Sequence, residues 1–471
     1  MENGLRARPT LWPPLRLTRL CCEHESVAVV LPAWSPTDKH LDEGGYMRSI
    51  ALDVHRDFCE VAIKDESGLR LAGRVKTKPE ELALFAQSLA PDDQVALEAS
   101  EPAGAIARIL EPHVGRVVVA NTRKLRAIAE SKVKTDKLDA CTLCELLAAG
   151  FLPAVWSPDE FTRALRRRLQ RRAKLVRSRT RAKNECHAVL ARNLKGKPPV
   201  SDVCGRKGRR WLSALELPAD ERETVACCLR EVDFLDSEIG LIESELAAQA
   251  LSSEEIRRLM TVPGVSLVSA AAFVAAVGDI HRFQSPKKLV SYVGLDPRVR
   301  QSGETPARHG RISKQGSPEA RHMLCEAAWV LIRTPGPLRA FHERVRARRG
   351  AQVALVATAR KLSVLFWHLL TREEDYAFQR PTLTRRKLLG LELKAKDGRR
   401  SWPSGHALGT QQDREREREF AEQIETAYRR LTADWQPQAP RSGAGATRGR
   451  ASSRPSSGKQ RGKASVPNPA L

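Results

Sequence analysis

Four carboxylates of this 471-residue chain stand where they could share a cation. Asp53 lies in the alternating segment Ile50–Val54 and points away from Ile50, Leu52 and Val54, while Glu98 closes the short apolar run Val95–Leu97. Asp136 and Asp139 are three apart in Lys134-Thr-Asp-Lys-Leu-Asp-Ala140. On a helix that spacing puts both acids on one face. Four carboxylates gathered at one point cannot all stay ionised without a positive partner. Oxygen donors select hard ions, so Mg²⁺ or Mn²⁺ is the implied cofactor. Two such ions about 3.5–4 Å apart clamp the attacking and leaving oxygens of a phosphodiester. Any one acid alone reads as a solvated side chain; the four together favour metal-assisted phosphodiester chemistry. Glu101, just beyond Glu98, reads as a helix-start carboxylate, with a fifth place in the cluster as the alternative.

Such a site needs a sheet to hold it. Ile50, Leu52 and Val54, then Cys59, Val61 and Ile63, alternate with a period of two. A third strand, Leu71–Val75, follows the turn at Ser67-Gly68. Pro79–Leu89 reads as a helix with proline in its first turn, Val95–Leu97 as a buried strand and Ala103–Leu110 as a helix. Val117–Val119 reads as a strand and Thr122–Glu130 as a helix. Three meandering strands followed by helix–strand units describe an α/β sheet of the ribonuclease-H type. Its first and fourth strands are neighbours, so Asp53 and Glu98 converge, and a helix over their ends brings in Asp136 and Asp139. The expected fold class is α/β plus all-α. An RNase H/RuvC-like domain spans 47–155, a basic helix and coiled coil 156–255, and a mostly helical domain 256–435. Residues 1–46 and 436–471 are expected to be disordered. Residues 1–46 lack periodicity and Met47 opens the first strand, which favours Met47 as the true start over a genuine flexible arm.

Charge points to a polyanion. The formal net charge is +24, and removing the seven basic residues between Arg441 and Lys463 still leaves +17. Arg163–Lys195 holds thirteen basic residues against a single acid, Glu185. Such a helix repels itself without a counter-polyanion, so Arg166, Arg167, Arg171, Arg177, Arg181 and Lys183 are expected to follow a nucleic-acid backbone, with affinity falling steeply as salt rises. A membrane-surface role would need bulky apolar residues opposite the charge. Ala351–Leu370, the most apolar run, carries Arg360 and Lys361 and reads as a core helix, not a bilayer span. No secretion signal is evident, and the ten cysteines lack zinc-ligand spacing, so reduced thiols in a cytoplasmic protein are expected. Glu221–Ala248 carries a seam of Val225, Leu229, Val232, Leu235, Ile239, Ile242 and Leu246, which suggests a coiled-coil dimer, with an intrachain helical hairpin as the alternative.

Several stretches resemble a known family. Ile50-Ala-Leu-Asp-Val-His55, Leu97-Glu-Ala-Ser100 and Lys134–Ala140 resemble the acidic motifs of the RuvC-like domain of DEDD transposases, the insertion sequence 110 family. Val262-Pro-Gly-Val265, Phe283, Leu289–Pro297, Gln301-Ser-Gly303, Arg311–Gly316 and Ala320–Leu324 resemble its second domain. The family commonly has Gly where this chain has Glu101. The resemblance implies a transposase acting on donor and target DNA in partnership with a structured guide RNA; the joining of two duplexes would suit a tetramer beside the dimer that the Glu221–Ala248 seam suggests, and a cytoplasmic, nucleoid-associated location is expected. The resemblance also makes Ser302 the nucleophile that forms a phosphoserine; Ser-Gly alone is only a turn signal. Arg298, Arg300, Arg308, Arg311 and Lys314 around it are the expected phosphate contacts. Val262–Ala270 resembles a helix–hairpin–helix turn, for which an ordinary helix–helix connection is the equal alternative. His281, His309 and His322 read as structural or solvated. Two rivals stand beside the transposase reading: a hydrolytic junction resolvase with Ser302 a bystander, and a non-catalytic nucleic-acid-binding protein.

Overall fold

The computed structural model describes residues 47–121, 135–303, 307–396 and 409–433. The front extension, the tail and the helix expected at Thr122–Glu130 lie outside them.

Five strands form one sheet: β1 (Ser49–Val54), β2 (Phe58–Asp65), β3 (Gly68–Lys76), β4 (Gln94–Glu98) and β5 (Arg116–Ala120), in the order β3-β2-β1-β4-β5. The first three form an antiparallel meander, whereas β4 runs parallel to β1 and β5 parallel to β4. Period-two alternation sorts the two faces. Ile50, Leu52, Val54, Cys59, Val61, Val95 and Leu97 pack against Leu82 and Ala86 of α1 (Pro79–Gln87) and Ile106 and Leu110 of α2 (Ala103–Leu110). The other face carries Ala51, Ala62, Ala96, Val118 and Ala120, and receives Ala140, Leu143, Cys144 and Leu147 of α3 (Asp136–Ala148). Small side chains on that face let the helix lie close. After α3 the chain returns to the sheet edge, where Val155 N–H donates to the Val119 carbonyl at 2.7 Å.

Two long helices follow, α4 (Glu160–Arg192) and α6 (Ala219–Ser252), with the short α5 (Arg206–Ser213) between them. Their ion pairs, Arg168–Glu245, Arg172–Glu243, Arg179–Asp236 and Arg192–Glu221, run in opposite numerical directions, so the pair is antiparallel. Leu235 and Ile239 meet Leu175, Cys228 and Val232 meet Ala182 and Cys186, and Val225 meets Val189 and Leu190. The seam expected to join a second chain is therefore filled from within this one, which corrects that basis for a dimer. Heptad-like spacing serves a hairpin as well as a coiled coil.

The largest core of the described residues is built mainly by the helices that follow, with Leu165 and Leu169 of α4 and Leu246, Ala247 and Ala250 of α6 and nothing from the last helix. The helices that follow are α7 (Glu254–Met260), α8 (Leu267–Val277), α9 (Pro286–Val293), α10 (Pro318–Leu331), α11 (Pro337–Arg349), α12 (Ala351–Thr371), α13 (Pro381–Ala395) and α14 (Gln411–Leu431). Helix α8 is apolar all round and buried, as a central helix must be. Its Phe273 meets Phe366 of α12 edge-on, with ring centroids 4.8 Å apart. Among the described residues α12 alone is long and apolar enough to cross a membrane, yet it buries Ala359, Leu362, Phe366 and Leu369 in this core. A two-stranded hairpin, β6 (Pro297–Arg300) with β7 (Arg308–Ile312), projects between α9 and α10 in the chain.

Candidate metal centre and basic surfaces

Asp53 sits near the end of the central strand, on the face covered by α3, and is only 5% exposed. Leu52 pairs with Leu97, so Glu98 follows on the adjoining strand beside Asp53 and shares a hydrogen bond with its carboxyl group. Asp136 opens α3, whose N-cap Thr135 accepts from the Leu138 N–H. His55, two residues past Asp53 and so on the same side, places Nε2 3.2 Å from Asp53 Oδ2 and 3.3 Å from Asp136 Oδ2. Asp53, His55 and Asp136 each offer one ligand atom, and all three atoms lie within 4.8 Å of one another. Asp139, three residues along the same first turn, is half-buried. Burial pushes the Asp53 carboxyl up to about 6; His55 pulls against this, while the Glu98 hydrogen bond and the charges of Glu98 and Asp136 add to it. His55 Nε2 is buried without a well-aligned hydrogen bond. One buried carboxylate, Asp53, with half-buried Glu98 and the exposed Asp136 beside it, is an excess of negative charge that a divalent cation would offset.

Sequence reasoning missed two residues here. His55 carried a usable signal, the period-two step from Asp53. Glu60 stands directly across from Asp53 in β2 and is 2% exposed. Its carboxylate accepts from Arg74 Nε at 2.7 Å, and Arg74 stacks on Phe58 at 4.2 Å. That pairing already neutralises Glu60.

Ser302 lies in the connection between the hairpin strands, exposed, two residues beyond β6. Arg298, Arg300, Arg308, Arg311 and Lys314 are exposed on the same hairpin, Arg300 and Arg308 at the end that carries Ser302 and Arg311 and Lys314 toward the root. Arg300 stands directly opposite Arg308, a like-charge cross-strand pair that is unfavourable on its own. The hairpin root is built by two glycines. A Cβ on Gly294 would lie 2.0 Å from the Gln315 carbonyl oxygen, and one on Gly316 would lie 1.9 Å from that of Tyr292. Only bare backbone crosses so closely, and both residues have positive φ. The turn Val262–Val265 does not face outward. Val262 and Val265 are fully buried, and Lys387 Nζ donates to the carbonyls of Met260 and Val262 at 2.7 and 2.8 Å. It is an ordinary packed connection, not an outward-facing phosphate-binding turn.

The basic helix divides into two sets. Arg168, Arg172, Arg179 and Arg192 pair with acids of α6, Lys183 with Asp202, and Arg163 and Arg167 with Glu160. Contrary to the expectation of unrelieved self-repulsion, most of the counter-charge to α4 comes from the same chain. Arg166 is likewise inward: Nε and Nη2 donate to the Ala275 and Ala276 carbonyls at 2.6 and 3.1 Å, and its guanidinium lies over Trp156. Arg282 covers Trp156 as well, at 4.3 Å. Among the described residues, Arg171, Lys174, Arg177 and Arg181 are exposed on α4 without a carboxylate at ion-pair distance. Arg177 and Arg181 line a groove with Thr180, Asn184, Glu185 and Ala188.

This strand order, with acids at the ends of the first and fourth strands and on a helix laid over them, defines the ribonuclease H-like class of nucleic-acid enzymes. Residues 50–193 match a family model for DEDD-type IS110 transposases, and residues 256–343 match the model described as transposase, IS116/IS110/IS902 family. The transposase for insertion sequence element IS1111A of Coxiella burnetii is 30% identical over 256 residues, which cover 52% of this chain and 68% of that protein. Putative transposase y4qE of Sinorhizobium fredii is 32% identical over 201 residues, 42% of this chain and 48% of its own. The pilin gene-inverting protein of Moraxella lacunata is 24% identical over 275 residues, 56% and 75% respectively. The chain belongs to the IS110 family of transposases and is a DNA-transposing enzyme.

Proposed function

We propose that this transposase cuts and rejoins DNA through Ser302, with Asp53, Glu98, Asp136 and Asp139 holding Mg²⁺ or Mn²⁺. The observation that carries this reading is the meeting of Asp53, Glu98, Asp136 and His55 at the end of the β1–β4 pair. A bound divalent ion supplies the positive charge that offsets the phosphate and lowers the cost of forming an alkoxide. Ser302 Oγ attacks phosphorus, the bond to one strand oxygen breaks, and that oxygen leaves with the proton. Attack by a strand hydroxyl on the phosphoserine rebuilds a phosphodiester and returns a proton to Ser302. Arg298, Arg300, Arg308, Arg311 and Lys314 orient the backbone and offset its charge. A relative named for inverting a pilin gene supports rejoining over simple hydrolysis.

Arg171, Arg177 and Arg181 are the residues we assign to a nucleic-acid backbone, and a structured guide RNA is the partner the family resemblance favours. Among the described elements the hairpin makes no substantial packing with the five-stranded sheet. Ser302 is therefore inferred to reach the acids through a second copy or on DNA binding, in a homo-oligomer acting at the nucleoid. Boundaries near residues 155 and 255 are the domain limits we infer. The test compares Ser302→Ala with Asp53→Ala on DNA carrying the element's ends. A recombinase loses the covalent protein–DNA adduct with either substitution. A resolvase-type nuclease keeps cutting with Ser302→Ala, and a purely binding protein is unaffected by Asp53→Ala except in affinity.

A further inference from the structure

We propose that His55 is a direct ligand of the divalent ion and that its nitrogen tilts the site toward Mn²⁺ over Mg²⁺. The inference rests on the reading of the acidic cluster as a metal site and adds a donor that the four-carboxylate expectation lacks. The backbone of His55 is held at both ends: its N–H donates to the Phe58 carbonyl at 2.9 Å, and its carbonyl accepts from Thr77 Oγ1 at 3.1 Å. The ring leans on Phe58, with centroids 5.0 Å apart. The β1–β2 turn thus anchors the backbone of His55 and gives its ring an aromatic neighbour, with Nε2 turned toward the acids.

Its separations fit coordination. Adjacent ligands in an octahedral shell of radius about 2.1 Å lie about 3 Å apart. His55 Nε2 stands 3.2 Å from Asp53 Oδ2 and 3.3 Å from Asp136 Oδ2, one edge each of such a shell. A histidine placed only to neutralise the carboxylates would aim an N–H at one of them. This Nε2 is buried and makes no aligned hydrogen bond to either acid, so in the tautomer that carries its proton on Nδ1 the lone pair faces the space between the two oxygens. Mg²⁺ takes oxygen and sheds water reluctantly, whereas imidazole suits the transition ions, so a mixed nitrogen–oxygen set discriminates between them.

The test uses the full chain stripped with a chelator. Mn²⁺ binding is followed by electron paramagnetic resonance, Mg²⁺ by competition, and directly bound nitrogen by the ¹⁴N modulation of the Mn²⁺ echo. The wild type should show one ¹⁴N coupling. His55→Gln should lose it, weakening Mn²⁺ about tenfold or more and Mg²⁺ less than about threefold. His55→Asp, which restores an all-oxygen set, should bind both ions and favour Mg²⁺ relative to the wild type. Melting curves of both variants check that the fold persists. Mn²⁺ bound in an Asp53-dependent manner without ¹⁴N coupling overturns the proposal while leaving the metal site standing, as does equal weakening of both ions. No Asp53-dependent binding of either ion removes the metal reading and this inference with it.

Discussion

Two arginines five residues apart on one helix should behave oppositely when replaced by methionine. Arg166 donates two charge-assisted hydrogen bonds to the last carbonyls of α8, which have no partner within that helix. A hydrogen bond to a charged group contributes about 1.5–3 kcal/mol, a cation at a helix C-terminus ~0.3–1 and an aromatic face under a guanidinium ~0.5–1. The contributions overlap, and about 3 kcal/mol is a reasonable total for Arg166→Met, whose longer apolar stem keeps the packing. For a cooperative unit of this size each kcal/mol shifts the melting temperature by ~2–4 °C, so a drop of about 6–12 °C is expected. Arg171 is exposed and unpaired among the described residues. Arg171→Met should change stability by less than about 0.5 kcal/mol. It should instead remove about one phosphate contact, flattening the slope of log affinity against log salt by ~0.9 on duplex DNA or ~0.7 on a single strand. Differential scanning fluorimetry and a salt titration of binding measure both. An Arg166→Met protein that melts like the wild type but loses salt slope would refute the division of the helix into structural and binding arginines.

Other outcomes are expected. A Cβ on Gly278 would lie 2.0 Å from Trp156 Cη2, so Gly278→Ala should lower the melting temperature by several degrees, and adding Trp156→Ala should recover part of the loss; strict additivity would show that the contact is not the cause. In chelator, the raised Asp53 carboxyl makes its contribution to stability complete below its ordinary value of 3.8 and lost as pH rises through about 6. Asp53→Asn should flatten that fall by at most about 3 kcal/mol, less after solvent screening, and an unchanged pH slope in urea titrations would count against it. Phe234 and Leu241, 63% and 59% exposed and seven residues apart on α6, should support self-association, so changing both to serine should reduce the mass seen by light scattering without moving the melting temperature; an unchanged mass removes them from any interface.

The acids were legible because their signals are local. Period-two alternation fixes which side of β1 holds Asp53, and three-residue spacing places Asp136 and Asp139 on one turn. Neighbouring first and fourth strands then follow from the order of elements. His55 obeyed the same alternation but was passed over as part of a motif. Arg166 was not legible, because its partners Ala275 and Ala276 lie more than a hundred residues away and are backbone carbonyls, which have no sequence signature. The acids that neutralise α4 sit on α6, and a count confined to one helix cannot see them. The seam of α6 was ambiguous for a physical reason: burial by a neighbour in the same chain and by a second chain demands the same spacing.

The two halves of the proposed chemistry are built in contrasting ways. The acids stand on buried strands and a helix packed against alanines, so their positions exist before any substrate arrives. Ser302 stands on an exposed two-stranded arm whose root is pinned by the crossing of Gly294 and Gly316 and whose strands oppose Arg300 to Arg308. Among the described residues Arg300 and Arg308 face each other without a carboxylate at ion-pair distance, and in the proposed chemistry a phosphate backbone between them would relieve the repulsion and steady the serine at once. A water molecule at the acids has no such aid. If the arm is completed only by DNA, the enzyme gains a preference for passing strands to a serine over cutting them with water. That preference depends on placing the nucleophile and the metal ligands on separate elements.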